Sequence, residues 1–62
     1  MKAYFSVFDE MVGIMEMSAE NIARAEQIVA DQSGSYCNYV LGISWDYDEK
    51  MPYIYADGPW EC

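Results

Sequence analysis

SYCNYVLGISWDYDEKMPYIYAD, residues 35–57, reads as a β-hairpin and decides the fold of this 62-residue chain. Every second residue from Cys37 falls on one face (Cys37, Tyr39, Leu41, Ile43, Trp45), and the other carries Tyr36, Asn38, Val40, Gly42, Ser44 and Asp46. The first set is the expected core face. An acidic turn follows, Asp46-Tyr47-Asp48-Glu49, and an aromatic and β-branched run returns through Tyr53, Ile54 and Tyr55.

Towards the N-terminus, residues 2–8 alternate, with Ala3, Phe5 and Val7 on one side and Lys2, Tyr4, Ser6 and Phe8 on the other. That pattern predicts a strand. Asp9-Glu10 interrupts it, and residues 11–17 then set Val12, Ile14 and Glu16 against Met11, Gly13, Met15 and Met17. A second, short strand fits, although Asp-Glu is not the pair a two-residue hairpin turn prefers. The methionines read as flexible core filler.

Ser18 is a suitable N-cap, and Glu20 suits the positive end of a helix dipole. The helix is expected over residues 19–32. Ile22, Ala25, Ile28 and Val29 share one face, and Glu20, Arg24, Gln27 and Asp31 the other, with Glu20 and Arg24 at pairing distance. Gly34 is free to close the helix in a left-handed conformation. Gly58-Pro59 ends the last strand, and Trp60 is expected to fold back over an open edge of the core.

Together these elements predict an α+β fold in a single domain spanning residues 1–62. One helix lies on a three- or four-stranded, mainly antiparallel sheet in the order β(β)αββ. The predicted core is Phe5, Val7, Ile22, Ala25, Ile28, Val29, Cys37, Leu41, Ile43, Trp45 and Ile54. The opposite sheet face should be partly wet and rich in tyrosine.

Composition supports folding, because 53% of residues are hydrophobic and 16% aromatic, too apolar for a disordered tail. A domain this short buries only about 60% of its unfolded surface, so the core must be economical. Two cysteines, Cys37 and Cys62, are too few for a disulfide framework or a metal cluster. Cys37 is expected as a small buried thiol, and Cys62, the last residue, as frayed. No secretory signal and no spanning apolar run is visible, so the expectation is a soluble cytoplasmic protein with reduced thiols.

Catalytic chemistry is not legible. The chain has no His, which removes Cys-His and Ser-His pairs and the commonest general base. Asp46-x-Asp48 begins like a calcium loop. However, Lys50 stands where an oxygen ligand is needed, Met51 replaces the required Gly, and Asp57 replaces the final Glu. The expectation is therefore a non-enzyme that needs no cofactor and no metal.

What remains is charge. Eleven Asp and Glu stand against three Lys and Arg, a formal −8 that repels nucleic acid and anionic membranes and attracts a basic protein surface. Duplex DNA carries one charge per about 1.7 Å, so this net charge corresponds to on the order of 14 Å of duplex, close to the expected length of the domain. In size, charge, lack of His and element order the chain resembles small phage-encoded anti-CRISPR and anti-restriction proteins that mimic DNA. It most resembles inhibitors of type I surveillance complexes, the type I-C inhibitors in particular.

That resemblance implies a cofactor-free inhibitor, acting in the cytoplasm, that occupies the basic DNA-binding surface of a CRISPR-Cas subunit. It implies no direct binding to nucleic acid or membrane. Turns at sheet ends project carboxylates without burying them, so the expected contact residues are Asp9, Glu10, Asp46, Asp48, Glu49 and Asp57. The alternative is a protein-interaction module, antitoxin-like or an adaptor, that docks through an edge strand or through an aromatic patch at Tyr36, Tyr53 and Tyr55.

Overall fold

In the computed structural model, which describes residues 1–34 and 37–60, the expected β(β)αββ order resolves to four strands and one helix. They are β1 (Lys2–Val7), β2 (Met11–Glu16), α1 (Ala19–Ser33), β3 (Val40–Asp46) and β4 (Met51–Asp57). The sheet order is β2-β1-β4-β3. Two antiparallel hairpins, β1-β2 and β3-β4, join through a central parallel pairing of β1 with β4.

Alternation along β1 sends Ala3, Phe5 and Val7 beneath the helix, where each is fully buried. Register completes the layer. Phe5 lies opposite Gly13 on one side and Ile54 on the other, and Val7 lies opposite Met11. Ala25 and Val29 of α1 close the core from above, with Ile22, Ile28, Met15, Met17, Leu41, Tyr39 and Phe8 packed around them.

Helix α1 begins at the end of β2 and finishes beside the start of β3. Ser18 accepts the Asn21 N–H at 3.1 Å as the N-cap, and the Asn21 amide donates to the Glu16 carbonyl at 2.7 Å, which ties the helix start to β2. At the other end the Ser33 hydroxyl accepts from the Tyr39 N–H at 2.8 Å and donates to the Tyr39 carbonyl at 3.0 Å. The helix therefore crosses the sheet diagonally, from the β2 edge to the β3 edge.

That diagonal corrects the predicted core. Ile43 and Trp45 are on the helix side of β3, opposite Ile54 and Pro52, but they sit at the corner α1 does not reach and are 60% and 48% exposed. Met11 and Ala3, absent from the predicted core, are buried instead.

Other local expectations are corrected too. Gly34 caps α1 in the right-handed region (φ −64°), donating to the Ala30 carbonyl at 3.1 Å, rather than in the left-handed one. Residues 37–39 precede β3 instead of belonging to it, and Cys37 is disulfide-bonded, not a reduced thiol. The only other cysteine in the sequence, Cys62, lies outside the described residues. Trp60 turns back on the chain, its N–H donating to the Asn38 carbonyl at 2.8 Å, and remains 53% exposed.

Candidate binding surfaces

Strand direction decides where the carboxylates fall. β1 and β4 run in parallel, so the β1-β2 turn and the end of β4 share one end of the sheet, which holds Asp9, Glu10 and Asp57. The β3-β4 turn is at the other end, with Asp46, Asp48 and Glu49; Glu16 shares that end but lies on β2, at the opposite edge of the sheet. Six- or seven-residue strands separate the ends by roughly 20 Å. The six expected contact residues thus form two acidic poles, and a single cluster at one cleft is not what the fold builds.

The poles differ in construction. Asp46 Oδ1 accepts the N–H groups of Asp48 at 3.0 Å and Glu49 at 3.1 Å, which fixes the turn in the manner of an Asx cap. Asp48 and Glu49 then project freely, and Lys50 closes the loop in the left-handed region (φ +55°). Asp9 and Glu10 are exposed beside Phe8, itself at φ +54°, whose ring meets Tyr39 edge-on at 5.0 Å.

Neutralisation is sparse. Among the described residues the one ion pair joins the Met1 amino group to Glu16 at 2.7 Å, and that hydrogen bond holds the Glu16 carboxyl below its ordinary range. Glu20 and Arg24 do not pair despite their spacing. Gln27 instead donates to Asp31 at 2.9 Å.

The charge is also more dilute than its total implies. The molecule measures 34 × 22 × 17 Å, and a duplex as long as its longest axis would carry about 20 charges. The formal −8 is less than half of that density. Any mimicry must therefore act through the poles and not as a continuous rod of charge.

Two apolar surfaces border them. Ile43 and Trp45 form the uncovered corner, continued by Tyr47, 82% exposed, directly into the Asp48-Glu49 pole. Sequence reading missed this corner because periodicity assigns a face and not the reach of the element that covers it. The second surface is the sheet face turned away from α1, with Tyr4, Tyr53 and Tyr55 at its centre and the exposed Val12, Ile14 and Val40 around them. Tyr36, expected with this group, lies outside the described residues.

The described residues enclose no pocket and bring together no group of three potential metal ligands. No helix is long and apolar enough to cross a membrane. Compared with known proteins, the chain matches no family, no curated protein and no solved structure.

Proposed function

We propose that this chain is a non-enzymatic inhibitor that occupies the basic DNA-binding surface of another protein and excludes DNA from it. The carrying observation is the acidic β3-β4 pole. Asp48 and Glu49 stand exposed and unpaired among the described residues, on a turn that Asp46 holds in shape, beside an uncovered Trp45 and Ile43. Carboxylates attract the Lys and Arg side chains that would otherwise hold phosphates, and the aromatic corner supplies the desolvated contact that charge alone lacks.

A type I CRISPR surveillance complex is the first target to test, on the resemblance in size, charge and element order. Action there is in a reducing compartment, where disulfides are uncommon, so the Cys37 disulfide counts against this target. The test is a mobility-shift assay with a purified guide-loaded type I complex and its target duplex. Pre-incubation should abolish duplex binding while leaving the guide RNA intact. A supershifted ternary complex, or unchanged duplex binding, would refute the reading.

The exposed β3 edge favours a second reading, an adaptor that docks by strand addition. β3 has seven residues with neither Lys nor Pro to block pairing, and Ile43 and Trp45 sit along it. Such binding would persist at high salt.

A further inference from the structure

The three tyrosines of the uncovered face form a flat platform. Tyr4 and Tyr53 are partners across the parallel β1-β4 pair, and their rings stack with centroids 5.7 Å apart and planes within 13°. Tyr53 and Tyr55, two apart on the same face of β4, stack at 5.5 Å and 28°. Tyr55 also lies over Gly42 of the neighbouring strand. A Cβ built on Gly42 would come within 2.5 Å of the Tyr55 Cζ, so the ring lies down on the sheet only because that position has no side chain.

A ring laid over a cross-strand glycine shields it and stabilises the sheet, so Tyr55 compensates for the weakness that Gly42 brings to β3. The same arrangement leaves an aromatic surface presented face-up. Carboxylates bound it on the same face. Asp57 stands two residues beyond Tyr55 on β4, and Asp46 and Glu16 mark the opposite end, Asp46 with its Oδ2 uncommitted among the described residues.

A flat π-surface with carboxylates two strand positions beyond it, roughly 7 Å away, matches one side chain in particular. An arginine guanidinium is planar, stacks on tyrosine faces, and still directs its N–H fork at a carboxylate, whereas a lysine ammonium is a strongly hydrated point charge that cannot stack. Nucleobases could stack as well, but the formal −8 opposes the phosphates they bring.

We propose that the Tyr4-Tyr53-Tyr55 face is the docking surface for an arginine-bearing segment of the basic partner protein, with the guanidinium stacked on the rings and bonded to Asp57 or Asp46. This rests on the reading of the chain as a binder of a basic DNA-binding surface and names the partner side chain. DNA-binding surfaces supply it, since arginine is a principal phosphate and guanine contact.

The test titrates isotope-labelled protein with nona-arginine and, separately, nona-lysine, peptides of equal charge. Nona-arginine should shift the backbone amide signals of Tyr4, Gly42, Tyr53 and Tyr55 and bind roughly two- to five-fold more tightly than nona-lysine. Tyr53→Leu should erase that difference and leave nona-lysine affinity unchanged. Gly42→Ala, which must lift the Tyr55 ring, serves as the second variant should Tyr53→Leu fail to fold, and it should narrow the difference.

Equal affinities for the two peptides, or shifts confined to residues 9–10 and 46–49, would overturn the proposal. The second outcome would leave the acidic-pole reading standing. Arginine-selective binding at the platform by a protein that does not displace DNA would support the platform while refuting the inhibitor.

Discussion

At the scale of single residues, exposure separates two positions that sequence alternation treats alike. Phe5 and Ile43 both occupy the helix side of the sheet, yet one is fully buried and the other mostly in water. Phe5→Ala should cost about 3–5 kcal/mol, comparable to the whole stability of so small a domain. Ile43→Ala should cost under about 1 kcal/mol, and urea titration distinguishes the two. Glu16 offers a pH test. Its folded carboxyl titrates below its unfolded value, so the stability it contributes is present above the unfolded pKa and is lost as pH falls through the folded one. Carbon-detected titration should place the Glu16 midpoint below that of Glu in an unstructured peptide, and Lys2→Ala should barely move it, because the Met1 amino group is the main cause.

At the scale of elements, local patterns carried most of the reading. The alternation along β1 and β2, the Ser18 cap and the inward face of α1 follow from period and propensity, which act over a few neighbours. Non-local geometry was not legible. Pairing of β1 with β4 joins strands almost fifty positions apart, and only that pairing sends Asp9 and Glu10 to the end opposite Asp48 and Glu49. The diagonal of α1 likewise depends on where its two ends are anchored. Ser18→Ala should lower stability by about 0.5–2 kcal/mol through loss of the Asn21 N–H acceptor. The disulfide at Cys37 was missed because spacing alone does not bring two cysteines together. Reductant should lower stability by about 2–4 kcal/mol, and an unchanged melting temperature would show that the bond contributes nothing in solution.

At the scale of the whole molecule, the question is whether the charge or the apolar surface governs binding. Asp46 cannot be reversed cleanly because its carboxylate holds the turn, so the informative variant combines Asp46→Asn, which keeps the Oδ1 acceptor, with Asp48→Lys and Glu49→Lys. The fold should survive, judged by circular dichroism, and affinity for the target should fall. Neutralising Glu20 and Asp31 on the outer face of α1 should change it far less. The most direct measurement is the affinity of the parent and of this variant for a guide-loaded type I surveillance complex, taken from 50 to 200 mM salt with labelled target duplex as competitor. Parental affinity should drop more than about ten-fold over that range, mutually exclusive with duplex, and the variant should show a shallower slope. A parent that binds alongside the duplex, or whose affinity is unmoved by salt and by the three substitutions, would contradict the account.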